Sequence, residues 1–194
     1  MPRVTAIRPG LRGQVAVELD GVPWRTLPVD VAARSGLSEG RVLDRPALRE
    51  LRRELRRSAA LSVATRALRT RDLSRQALGD RLRASVDATA AEAALETLER
   101  AGLVDDARSA RSRAESLAAR GYGDGAIRLD LLCRSFDDEV VRSSVEALEP
   151  ELERALQLVE RRGASPKTAR FLAGKGFDEE TVESALGARF ANDP

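Results

Sequence analysis

Three passages of this 194-residue chain repeat one pattern: a leucine, a short gap, an apolar residue and then an aspartate. They run from Leu82 to Val86-Asp87, from Leu132 to Phe136-Asp137 and from Leu172 to Phe177-Asp178. Each lies where one helical pattern stops and the next begins. The aspartate suits an N-cap, because its carboxylate accepts a backbone N–H that the first helical turn leaves unpaired. The apolar residue before it suits a hydrophobic staple. The leucines stand 50 and 40 residues apart, the spacing of stacked helical units that cannot bury their faces alone. The expected fold is mainly α: tandem three-helix repeats in a short curved solenoid, with Leu82, Leu132 and Leu172 buried at equivalent places.

A small β-containing module precedes the repeats. Val15, Val17 and Leu19 alternate with polar neighbours, and Asp20-Gly21 is a two-residue hairpin signal. Val22–Leu27 can return, with Pro23 requiring an edge strand. Pro28–Ser35 reads as a short helix closed by Gly36, and Arg41–Leu43 as a brief strand. Asp44 caps a helix that holds Pro46 in its first turn and runs to about Arg57, with Leu48, Leu51 and Leu55 in one stripe. Ala59–Leu68 reads as a separate helix. Ser74 caps a further helix, Gly102 suits a left-handed C-cap, and Gly121-Tyr122-Gly123 and Gly163–Pro166 break the chain again. The expected segments are 1–57 for the lead module and 58–105, 106–148 and 149–190 for the three repeats.

Composition removes several chemistries. There is no histidine, so the usual general base near neutral pH is missing, and one cysteine without histidine cannot make an ordinary zinc site. Aromatic residues make up 3% of the chain, too few for a broad base-stacking platform. No apolar run is long enough to span a bilayer, no signal-peptide apolar region opens the chain, and the single Cys133 cannot form an internal disulfide. These features point to the cytosol. The net charge of +2 conceals an asymmetry: residues 1–83 carry 18 arginines against 9 acids, and residues 84–194 carry 15 basic side chains against 22 acids. A front half at +9 suits phosphate or an acidic protein face.

Each candidate site also has a plain structural reading. Asp105-Asp106 and Asp137-Asp138-Glu139 could hold a cation, but they sit at helix starts, where acids cap. Gly121–Gly125 lacks the strand and the Lys-Ser/Thr of a phosphate loop. Cys133 lies among leucines and reads as a buried, inert thiol. The arginines on the helix after Asp44 can be a solvated face or a partner-facing edge.

The ordered set of motifs resembles the RecX family of regulators of the RecA recombinase. The residues that carry the likeness are Arg71 and Ser74 with Leu78 and Leu82, Leu98 through Gly102-Leu103-Val104-Asp105-Asp106, Arg120-Gly121-Tyr122-Gly123, and Phe171-Leu172 through Gly176-Phe177. The likeness covers residues 59–189, and the β-rich lead is similar to an extension some members carry. Ala101 and Ser85 depart from the pattern, as does Ala107–Ala110. The resemblance implies a cytoplasmic, non-catalytic protein of homologous recombination, DNA repair and the SOS response. It would act as a monomer without cofactor or metal, on the RecA filament and on single- or double-stranded DNA. The expected contact residues are Arg52, Arg53, Arg56, Arg57, Arg66, Arg69, Arg71, Arg75, Arg120 and Arg134. The alternative is a stand-alone DNA-binding module built on the basic front half. A metal-dependent nuclease using the acid clusters is weaker, because capping already accounts for those clusters.

Overall fold

A computed structural model describes residues 1–69 and 72–190, with side chains through residue 187. The chain divides into two compact units, one of Met1–Thr70 with Gly79–Thr97, the other of Arg71–Leu78 with Leu98–Pro194.

The first unit opens with three antiparallel strands, β1 (Val4–Pro9), β2 (Gln14–Leu19) and β3 (Val22–Pro28), in the order β1-β2-β3. Asp20 and Gly21 both have positive φ, the type I′ geometry whose twist matches paired strands. The Asp20 carboxylate accepts from the Arg3 N–H at 3.0 Å, and Thr5 accepts from the Gly21 N–H at 2.9 Å. Pro23 falls on the edge strand β3, beside a register shift between Val17 and Glu18. Val42 makes only an isolated bridge, to Arg3. Helix α1 (Val29–Arg34) follows β3, and Asp44 caps α2 (Arg45–Leu68) by accepting from the Ala47 N–H. Val4, Val17, Leu27, Val31, Leu43 and Leu51 form the core between sheet and helices.

Helix α2 corrects one expectation: 24 residues run unbroken where two helices were expected. No Gly or Pro lies between Ala47 and Leu68, Ser58 remains helical, and Ala60, Ala64 and Ala67 extend the buried stripe begun by Leu51 and Glu54. Helices α3 (Arg75–Arg83) and α4 (Ala88–Arg100) follow, with Leu78, Leu82, Ala91, Leu95 and Leu98 buried.

In the second unit, α5 (Asp106–Ala119), α6 (Asp124–Cys133) and α7 (Asp138–Glu146) share a core of Ala110, Ala114, Ile127, Leu131, Phe136 and Val141. Helices α8 (Glu151–Arg162), α9 (Pro166–Gly174) and α10 (Glu179–Phe190) share another, of Ala155, Val159, Leu172, Phe177, Val182 and Ala185.

The elbows cap as expected. Asp87 accepts from the Ala90 N–H, Asp137 from Glu139 and Asp178 from Thr181, at 2.7–3.0 Å. The middle leucine is one residue earlier than expected: Leu131 is fully buried and Leu132 is 44% exposed. Leu131 and Leu172 each stand five residues before their phenylalanine, whose N–H donates back to that leucine's carbonyl at 3.3 and 3.2 Å. A residue of positive φ, Ser135 or Gly176, closes each turn. Cys133 is exposed, not buried. Each residue rotates a helix by about 100°, so a stripe through Ile127 and Leu131 leaves positions 132 and 133 outside it.

Candidate partner interface

The expected contact arginines divide by what they touch. On α2, Arg52 is exposed and pairs with no carboxylate among the described residues. Arg53 reaches Glu50 at 2.6 Å, and Arg56 reaches Asp87 at 3.6 Å, with both guanidinium groups mostly in solvent. Exposed pairs of this kind are worth roughly 0–1 kcal/mol and leave the cation open to a partner. Arg57 is half-buried: one nitrogen donates to the Thr97 hydroxyl at 3.3 Å, and its Nε is buried without a hydrogen-bond partner. Arg66 and Arg69 are exposed and line a depression of about 470 Å³ with Ser58, Leu61, Ser62 and Thr65. These positions recur at helical spacing, so one face of α2 presents hydroxyls and two guanidinium groups together. Arg71 lies outside the described residues.

In the second unit, two of the expected arginines are already committed. Arg75 pairs with Glu99 at 2.6 Å, and its backbone N–H donates to Asp106 at 2.8 Å. The second acid of the Asp105-Asp106 pair therefore caps α3, while Asp105 caps α5 through the Arg108 N–H. Burial raises the Asp106 pKa, the Arg75 N–H opposing it. Arg134 donates to Asp130 at 2.8 Å, and Arg113 grips the same carboxylate through two nitrogens at 2.8 and 2.9 Å. The fork from Arg113, with Arg134 assisting, holds Asp130 at a pKa of about 2. The Arg134 carbonyl accepts from the Ser74 hydroxyl at 2.8 Å, so Ser74 ties the start of α3 to the end of α6 besides capping α3 through the Ala77 N–H.

Arg120 is different. It is exposed, lies 5.5 Å from the Tyr122 ring and has no carboxylate partner among the described residues. It borders a cavity of about 500 Å³ whose walls include Gly121, Leu148, Glu149, Leu158 and Arg161.

Two features escape sequence reasoning. The first is Arg154, which is buried and donates to the carbonyls of Glu149 and Tyr122 and to the Asp124 carboxylate. Beside it, Glu151 accepts from the Asp124 N–H at 2.5 Å. Burial raises the Glu151 pKa, and its carboxyl contact with Asp178 holds Asp178 at about 2. The second is a set of cations on rings: Lys175 over Tyr122 at 3.8 Å and Arg162 over Phe171 at 3.9 Å. Phe171 and Lys175, four residues apart near the end of α9, were the one sequence signal for it.

No family model matches the chain. Among known proteins, the Regulatory protein RecX of Chromohalobacter salexigens is 37% identical over 139 residues, 66% of this chain and 91% of that one. The Regulatory protein RecX of Thermus thermophilus is 39% identical over 123 residues, 62% of this chain and 84% of that one. A crystal structure of regulatory protein RecX matches with a TM-score of 0.78 at 19% identity, over 97% of this chain and 100% of the other. RecX from Lactobacillus salivarius matches at 0.60 and 17% identity, over 70% and 97%. The structural likenesses agree in fold: a predominantly helical chain carrying, here, one small sheet. The sequence relatives identify the class as regulatory proteins, and this chain belongs to the RecX family. Among the described residues no helix is long and apolar enough to cross a membrane.

Proposed function

We propose that this chain binds the RecA nucleoprotein filament and lowers its ATP turnover and DNA strand exchange without catalysing a reaction. The observation that supports this most is the alignment with proteins named as regulators over nearly their whole length. On this reading the protein acts in the cytoplasm as a monomer, in recombination and DNA repair, with no cofactor of its own. The helical stretch works as three repeats, 58–105, 106–148 and 149–190, that offer an extended surface to an elongated partner.

The arginines then separate by role. Arg52, Arg53, Arg56, Arg66, Arg69 and Arg120 are the contacts, because each remains open to a carboxylate or phosphate. Arg57, Arg75 and Arg134 hold the scaffold. The test is strand exchange and ATP hydrolysis by a cognate RecA with increasing amounts of this chain. Inhibition up to equimolar protein, relieved by rising salt, is expected. Arg52→Glu with Arg66→Glu and Arg69→Glu should lift inhibition while the circular dichroism stays unchanged. Full inhibition by that triple variant would make the α2 face a solvated surface, and no effect of the wild type would end the reading. Duplex binding with steep salt dependence and no effect on RecA would instead favour the stand-alone DNA-binding module, which the open arginines of α2 also suit.

A further inference from the structure

We propose that the row formed by Arg120, Tyr122, Lys175, Phe171 and Arg162 docks an acidic protein segment that carries an apolar residue beside its carboxylates. The row is assembled from the end of α5, the end of α8 and both sides of the α9 C-terminus. Lys175 stands between two rings, 3.8 Å from the centre of Tyr122 and 5.9 Å from that of Phe171. Arg120 and Arg162 flank it, at 5.5 Å from Tyr122 and 3.9 Å from Phe171. Like charges this close ordinarily spread apart or recruit carboxylates. Among the described residues none of the three pairs with a carboxylate. The electron-rich ring faces hold the cations in place, so their positions are fixed before a ligand arrives.

Three observations decide what an ordered row of cations takes. Each ring already has a cation over it within 4 Å, which leaves less open ring face for a stacked base. The adjoining cavity of about 500 Å³, which shares Arg120 with the row, has Leu148 and Leu158 in its walls together with Glu115, Glu149, Arg154 and Arg161. An apolar side chain fits between such leucine walls. Finally, residues 84–194 carry 22 acids against 15 basic side chains, a net −7, a field that opposes a long polyanion and tolerates a peptide of few charges. The guanidinium forks of Arg120 and Arg162 can each hold a carboxylate bidentately.

The test uses the full chain and a fluorescent peptide of neutral residues with one glutamate on each side of a central leucine, followed by anisotropy. It contains no recombinase, so its outcome is independent of the filament reading. The wild type should bind the peptide, and Arg162→Glu and Lys175→Glu should each weaken it by about tenfold or more, a loss of about 1.4 kcal/mol or more. Replacing the peptide's leucine by serine should also weaken it, and an oligo-dT of similar length should bind both variants as it binds the wild type. Arg162 is exposed, so its variant is expected to fold. If Lys175→Glu loses helicity in circular dichroism, Arg162→Glu decides alone. Peptide binding that is absent in the wild type or unchanged in the folded variants overturns the proposal. An oligonucleotide that loses as much affinity as the peptide overturns it in favour of nucleic acid.

Discussion

Gly123→Ala isolates a single contact. Gly123 has φ −79° and ψ 168°, a conformation alanine adopts freely, so the substitution carries no backbone strain. A Cβ built there would lie 2.5 Å from the Gly176 carbonyl carbon and oxygen, and closer still to the Phe177 nitrogen. These are backbone atoms, so no side chain can swing away. The turn after α9 must retreat by about 1 Å to reach van der Waals separation. That retreat stretches the bonds from the Gly123 N–H to the Lys175 carbonyl, at 2.9 Å, and from the Gly125 N–H to the Gly176 carbonyl, at 3.1 Å. Each is worth about 1 kcal/mol, and the overpacking adds about 1–2 kcal/mol. The expected loss is therefore about 2–4 kcal/mol, read as a lower urea midpoint by far-UV circular dichroism. Gly187→Ala is the control: it is helical, and an added Cβ meets nothing within 4 Å, so it should be neutral or gain up to about 1 kcal/mol. A Gly123→Ala midpoint within about 0.5 kcal/mol of the wild type would refute the close approach of α6 to the α9–α10 turn.

Ser135 holds φ +60° where the equivalent elbow has Gly176, so Ser135→Gly should stabilise by about 1 kcal/mol in urea melts. Phe136→Ala and Phe177→Ala should each cost about 3–5 kcal/mol, since both rings are at least 94% buried; near-zero changes in the same melts would show that the elbows do not anchor the repeats. Asp130 has a lowered pKa, so what it adds to stability is present above the unfolded carboxylate range and is lost as pH falls through about 2. Asp130→Asn should accordingly lose less stability than the wild type in melts between pH 4 and pH 2.

The local grammar of the chain was readable because it depends on neighbours in sequence. The Asp20-Gly21 hairpin, the aspartate caps and the Gly102 C-cap, at φ +67°, all follow from contacts a few residues long. The misplaced leucine was a choice between two adjacent leucines, which a window of helical periodicity separates poorly; the turn geometry from Phe136 back to Leu131 settles it. The break expected near residue 58 failed for a similar reason: alanine-rich sequence weakens the apolar stripe without weakening the helix. What could not be read was the fate of each arginine. Arg113 finds Asp130 from 17 residues away, and Arg154 finds Asp124 from 30. Neither distance leaves a pattern in the sequence.

That long-range pairing changes what the charge of the chain means. A basic front half suggests that function lies there, but a formal count gives equal weight to a guanidinium clamped on Asp130 and to one in open water. The clamped groups, Arg75, Arg113, Arg134 and Arg154, fix helix ends to one another, and reversing them would expose or orphan a partly buried carboxylate. Among the open ones are two groups. One is the face of α2 around Arg52, Arg66 and Arg69. The other is the ring-supported row around Lys175, in the half of the chain that the count makes acidic. An excess of acids around a fixed row of cations favours ligands of few charges there, because repulsion grows with the charge of the ligand. A search for contact residues guided by net charge alone would therefore examine the first group and pass over the second.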